Sequence, residues 1–266
     1  MQFHFISGLP RSGSTLLASI LRQNPALTAS IMTPVGRVIT QALTAMGPDN
    51  EAEGFFTNEQ RQRILKGIIE NYYADTSASV IFDNNRRWCA NISLLSLLYP
   101  QCKLICCVRS PAAIVDSFER LFQKNPCNLS IIYGSTANLS VYERVMEIMK
   151  PTGVVGFALN AFRTAFFSDQ RDRLIIISYD DLCRYPYPVL ADLHKSLDLP
   201  EFKYNMNKIE PIPGAAEFDQ HISTPGLHDL KSIVSYEPRQ TVLPPDIFSS
   251  LPGPFWGVKE EATPAV

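Results

Sequence analysis

Eight residues near the start of the chain have the spacing of a phosphate-binding loop. In "GLPRSGST", Gly8 to Thr15, the two glycines and the closing hydroxyl follow G-x-x-x-x-G-K-[ST], but Ser14 stands where that pattern has lysine. Gly8 and Gly13 let the backbone bend and approach a ligand closely. The amides of residues 11–15 and the start of the following helix predict an anion cradle, and Ser12, Ser14 and Thr15 add hydroxyl donors. Arg11 is the one charge, with a planar fork suited to phosphate or sulfate. A kinase needs the missing lysine on its triphosphate and a hydroxyl on magnesium. The loop by itself leaves open a plain strand-to-helix turn.

A second stretch, "CVRSPAAIVDSFERLF", places Arg109 at the end of an apolar run, where it can meet an anion or form a surface ion pair. Ser110 and Pro111 then read as the N-cap and first position of a helix. Ser117 lies about two helical turns past Ser110. Asp83 ends another apolar run, "ASVIFD", and His228 sits in "PGLHDLK". Both are candidate proton acceptors, although a carboxylate paired with Arg86, Arg87 or a helix start explains Asp83 equally well. Arg86 and Arg87 either draw an acidic partner or form a solvated pair.

These residues need elements to hold them. Apolar runs predict strands at 2–7, 78–83, 103–108 and 173–178. Helical patterns are expected from Gly13 to Gln23, at 35–47, 58–73, 89–99, after Ser110 to Gln123, at 139–149, 154–168 and from Pro186. The segment 125–140 reads as a loop, and 179–185 as a turn. Alternating strands and helices imply an α/β fold, a central parallel sheet with helices on both faces. Ligands in such sheets bind at the carboxyl ends of the strands. Gly8–Thr15, Asp83–Arg87 and Arg109–Ser110 all fall there. After Pro200 the periodicity fades, and prolines predict a tail, about 205–266, wrapped on a single domain spanning 1–266.

Composition narrows the partners. The 266 residues are 45% hydrophobic and 19% charged, with a net charge of -2, enough for a sizeable core. No global basic excess points to nucleic acid or an anionic membrane surface. No stretch approaches the ~20 apolar residues of a membrane span, and "MQFHFISGLP" lacks a signal-peptide pattern. A soluble, cytoplasmic protein is expected. The six cysteines form no C-x-x-C pair and the four histidines lie far from any cysteine pair, so free buried thiols are expected rather than zinc. Adjacent Cys106 and Cys107 should point to opposite faces of their strand. His4 reads as an in-sheet residue, and Trp88, Phe255 and Trp256 as packing residues.

"GLPRSGSTLL", "VRSPAAIVDSF" and "YDDLCRYPYPVL" together resemble the sulfotransferases that use 3′-phosphoadenylyl sulfate (PAPS). The likeness extends through "PGLHDLK" and the terminal "FW", and is nearest to bacterial members related to the tyrosylprotein sulfotransferases. It implies a P-loop-containing nucleotide hydrolase-like fold. It implies that Gly8, Pro10, Arg11, Ser12, Gly13, Ser14 and Thr15 hold the 5′-phosphosulfate, and that Arg109 and Ser117 hold the 3′-phosphate. Tyr179 and Lys231 join this cofactor set. It further implies PAPS as donor, 3′-phosphoadenosine 5′-phosphate (PAP) as product, and no metal. The acceptor would be a hydroxyl, best matched by a tyrosine of a peptide or protein, with a carbohydrate or small molecule still open. No nucleic-acid or membrane partner is implied, and a homodimer is compatible. Two family features are missing. A glutamate expected after the first helix is Ile31 or Met32, and a lysine expected after the second strand is Asn84. Those roles are not carried over, which leaves Arg11, Asp83 and His228 as the catalytic candidates. A binding module for PAP or PAPS with altered chemistry is the main alternative, and a P-loop kinase a weaker one.

Overall fold

The computed structural model describes residues 1–48, 50–51, 53–136 and 139–257. Five strands, β1 (Gln2–Gly8), β2 (Leu27–Ala29), β3 (Val80–Asn84), β4 (Leu104–Val108) and β5 (Leu174–Ser178), form one sheet in the order β2-β3-β1-β4-β5. Every pairing is parallel, and β1 sits in the centre with Phe5 opposite Asp83 on one side and Leu104 on the other. The carboxyl ends of β3, β1 and β4 are therefore neighbours. The three sequence segments singled out above emerge side by side.

Side chains alternate between two apolar cores, as the period-two geometry of a strand requires. Phe3, Phe5, Ile81, Leu104, Cys106 and Val108 enter one core. Ile6, Val80, Phe82, Ile105 and Cys107 enter the other. The first core is closed by α2 (Val35–Ala45), α3 (Asn58–Tyr72), α4 (Ile92–Leu98), α5 (Pro111–Lys124), α6 (Val141–Met149) and α7 (Val154–Phe166). The second is closed by α1 (Ser14–Leu21), α8 (Tyr179–Arg184) and α9 (Pro186–Ser196). Helices thus cover both faces, the arrangement an all-parallel sheet needs to bury its strands.

The details depart from sequence expectation where segments are short. β2 has three residues, too few to show a period. The expected helix at 89–99 opens as a 3-10 turn, Cys89–Asn91, before α4. Tyr179–Arg184 is a six-residue helix rather than a turn, started by the Ser178 hydroxyl accepting from the Asp181 amide. Ser110 holds the N-cap position of α5, but its side chain makes no capping bond. Cys127 is exposed, while the other five cysteines are buried and all six are free. The tail adds two short helices, α10 (Ala215–His221) and α11 (Pro245–Ser250). Met206, Ile209 and Ile212 pack into one core, and Ile222, Leu227, Leu243 and Ile247 into the other. Residues 258–266 of the expected tail lie outside the described residues. No helix among the described residues is long and apolar enough to cross a membrane.

Candidate functional site

The loop after β1 is shaped by backbone sterics. Gly8 has φ 100°, and a Cβ there would lie 2.3 Å from the Cys107 carbonyl oxygen. Only glycine allows β1 and β4 to approach this closely. The Leu9 amide donates to that same carbonyl at 2.8 Å, which registers the loop against β4. Gly13, φ 91°, turns the chain into α1, and a Cβ on it would lie 2.9 Å from the Tyr179 ring. Arg11 itself takes a left-handed conformation, φ 57°, rare for a residue with a side chain.

The strained backbone aims the Arg11 side chain at the second motif. Its Nε donates to Ser117 Oγ at 3.1 Å, and its guanidinium also donates to the Leu227 carbonyl. Arg109 comes down beside it, donating to the Arg11 carbonyl at 3.5 Å and lying over the Tyr179 ring at 4.3 Å. Burial first, and the Arg109 charge second, push the Arg11 pKa below the usual arginine value, although Tyr179, Asp219 and Asp229 oppose the shift. The Nε of Arg109 is buried with no hydrogen-bond partner among the described residues. Two guanidiniums with one donor unspent form a place prepared for an anion.

Two cavities meet at this point. One, of about 530 Å³, is lined by Arg11, Gly13, Arg109, Ser117, Tyr179 and Lys231, while Arg120, Lys124 and Arg239 at its wall are paired with Asp116, Asp229 and Glu237. The other, of about 480 Å³, is lined by Gly8, Pro10, Arg86, Phe118, Ile132 and Phe218 among others. Arg11, Ser14, Thr15, Leu227 and His228 line both. Lys231 is paired with Glu237 at the edge of the first cavity. Ser12 lines neither: its buried hydroxyl donates to the Pro10 carbonyl at 3.2 Å.

The two proton-acceptor candidates separate cleanly. Asp83 is completely buried and lines neither cavity. Its carboxylate accepts from Thr33 Oγ1, from the Tyr73 hydroxyl at 2.7 Å and from Trp88 Nε1 at 2.7 Å. Burial pushes its pKa up, and those bonds oppose the rise. It is held as a structural hub, and neither arginine partner considered from the sequence reaches it.

His228 stands where the cavities join. Its Nδ1 lies 2.5 Å from Asp219 Oδ1, and its backbone amide donates to Asp219 Oδ2 at 2.8 Å. A carboxylate accepts only, so Nδ1 carries the hydrogen and Nε2 keeps a lone pair. Burial lowers the His228 pKa, the Asp219 bond and charge raise it, and Arg11 and Arg86 lower it again; the balance falls below the ordinary value. An oriented, largely neutral imidazole beside an anion cradle is equipped to take a proton.

Asp219 was invisible to sequence reasoning. It sits on α10, and no local motif links it to a histidine beyond the helix; only the closure of the tail brings them together. Ile31, Met32 and Asn84 do line the second cavity. The positions expected to carry glutamate and lysine thus lie at the site, with other side chains.

Residues 4–203 match the profile of the sulfotransferase family. The bifunctional heparan sulfate N-deacetylase/N-sulfotransferase 1 of Caenorhabditis briggsae is 28% identical over 226 residues. That alignment takes in 79% of this chain and 24% of the relative, so the chain spans about a quarter of that protein's length. Among solved structures, the sulfotransferase domain of the Synechococcus PCC 7002 olefin synthase superposes with a TM-score of 0.51 at 21% identity, covering 86% of each chain. The sulfotransferase domain from the curacin biosynthetic pathway gives 0.52 at 18%, covering 88% of this chain and 84% of the other. At such identities the likeness is one of fold.

Proposed function

Because the chain belongs to the sulfotransferase family, we propose that it moves a sulfuryl group from PAPS to an acceptor hydroxyl, with the donor in the Arg109 cavity and the acceptor in the Arg86 cavity. PAPS is the substrate that supplies the electrophilic sulfuryl group and leaves as PAP. The unspent Arg109 donor and the glycine cradle, which a Cβ would obstruct, fit a ligand with two anionic ends.

The loop amides, the start of α1 and Arg11 would stabilise charge on the sulfuryl end, where prepared dipoles act without reorganising. Arg109 and Ser117 would hold the 3′-phosphate. His228 Nε2 takes the acceptor proton as the new oxygen–sulfur bond forms and the bond to the PAP oxygen breaks. Asp219 holds the imidazole in the required tautomer. The observation that carries this reading is the shared wall: Arg11, Ser14, Thr15 and His228 face both cavities. For the acceptor, the resemblance favours a tyrosine hydroxyl, and Phe118, Ile132 and Phe218 in the wall suit a phenol.

Calorimetric titration with PAP and with ADP, each with and without magnesium, tests the donor assignment. PAP should bind tightly without metal. Arg109→Ala should weaken PAP by about 10- to 100-fold, the loss of a charge-assisted contact, and ADP far less. Equal losses for both ligands would remove Arg109 from the 3′-phosphate role. A second reading, a nucleotide-binding module without transfer activity, rests on Ile31, Met32 and Asn84 replacing the expected acid and amine. Tight PAP binding without transfer to any of a panel of phenols, sugars and alcohols would favour it.

A further inference from the structure

Arg86 is a cation in the acceptor cavity with nothing to neutralise it. It follows β3 and faces the same space as His228, close enough for its charge to lower the His228 pKa. Among the described residues no hydrogen bond, ion pair or ring contact engages its guanidinium. Residue Arg86 is exposed, so that surface is open to the cavity. Protein crowds the group all the same: burial first, and the charge of Arg87 second, push its pKa down. The one acid among the described residues that line the cavity, Glu147, is already occupied by Lys150 at 2.6 Å.

The lining is mixed: Asn84, Asn85, Ser14 and Thr15 supply neutral polar groups, and an apolar wall stands beside them. Ile31, Met32, Phe118, Ile132, Val154 and Phe218 come from five segments that converge on one space of about 480 Å³. That is the size of a site for a single small molecule. A guanidinium held in such surroundings gains most from a planar, singly charged anion that accepts two parallel hydrogen bonds. A dianionic phosphate would call for more than one free cation; Lys150 is paired with Glu147, and the Arg11 guanidinium is engaged by Ser117 and the Leu227 carbonyl.

Resting on the sulfuryl-transfer reading, we infer that the acceptor is a small hydroxy acid with an apolar body, its carboxylate on Arg86 and its hydroxyl at His228. Arg86 is then the residue that sets specificity. It does not touch the reacting atoms.

The test compares matched pairs with the full-length protein. Binding of 3-(4-hydroxyphenyl)propionate and of its neutral primary amide is measured by calorimetry with PAP present, and sulfation of each is followed with PAPS. The acid should bind about 10- to 100-fold more tightly than the amide, the usual worth of a bidentate charged contact. Arg86→Gln should erase that preference through KM, and Arg86→Lys should restore part of it. Equal binding of acid and amide by the wild type would overturn the inference, as would equal losses for both in Arg86→Gln. A hydroxyphenyl-containing acidic peptide accepted in preference to the free acid would overturn it too, and so would binding of neither member of the pair. These outcomes are separable from failure of the transfer reading, in which PAP itself does not bind or no acceptor of any charge is sulfated.

Discussion

Replacing Asp219 by asparagine removes one charge and almost no volume, and it should disable His228 without disturbing the donor site. In the wild type both carboxylate oxygens are used, one by His228 Nδ1 and one by the His228 amide. Asparagine has a single acceptor oxygen. If it keeps the amide bond, its own NH2 faces Nδ1, and the imidazole moves its hydrogen to Nε2, the atom that must accept a proton. Restoring the useful tautomer then costs about 1.5–3 kcal/mol, the worth of a hydrogen bond to a charged group, or about 10- to 150-fold in rate. The pH profile adds a sign. The Asp219 charge favours the imidazolium, so its loss lowers the His228 pKa further. As a base acts only when unprotonated, the acid limb of kcat/KM should move to lower pH while the plateau falls. The assay is sulfate transfer at saturating PAPS from about pH 5 to about pH 9, the window in which histidine titrates, with PAP affinity measured in parallel as a control. An unchanged plateau, or an acid limb shifted to higher pH, would refute the dyad.

Two further outcomes concern stability. Asp83→Ala strands the Trp88 indole N–H and the hydroxyls of Tyr73 and Thr33 in the core, and should cost about 3–5 kcal/mol in urea unfolding; intact stability with lost turnover would instead return Asp83 to the role of base. His4 is buried, and burial first with the Lys103 charge second pushes its pKa down to about 4 from an ordinary 6.5. The unfolded chain therefore binds the proton first, and stability present above about pH 6.5 is lost as pH falls toward about 4, by about 3 kcal/mol. His4→Gln should flatten that part of the urea-midpoint profile, and an unaltered acid slope would contradict the assignment.

Legibility followed range. The anion loop could be read because its chemistry is local: two glycines, an arginine and hydroxyls in consecutive positions between a strand and a helix. The sheet could be read because β3 and β4 are buried at every position and β1 at all but Gln2, in runs rich in apolar residues, and because the edge strand β5 is an apolar run although only part-buried. β2 escaped because a three-residue strand shows no period. The site was half legible. Arg11, Arg109, Ser117, Tyr179 and His228 converge on the joined cavities. Asp83 does not, because a carboxylate at a strand end can turn inward as readily as toward the ligand edge, and here Thr33, Tyr73 and Trp88 turn it inward. Asp219 carries no local signature, and its meaning arises only when the tail folds back.

β4 has a consequence for how this protein can change over time. Leu104, Cys106 and Val108 fill one core while Ile105 and Cys107 fill the other, so the strand has no side on which a substitution goes unnoticed. The Cys107 carbonyl also sets the position of the anion loop through Leu9. A substitution in this strand would disturb packing and the footing of the loop together. On the proposed reading, acceptor preference would change most readily in the segments beyond the strand ends that wall the Arg86 cavity, where a change of one side chain alters the wall and leaves the cradle in place. The proposed donor half would then be tied to the scaffold, while the proposed acceptor half could change without it.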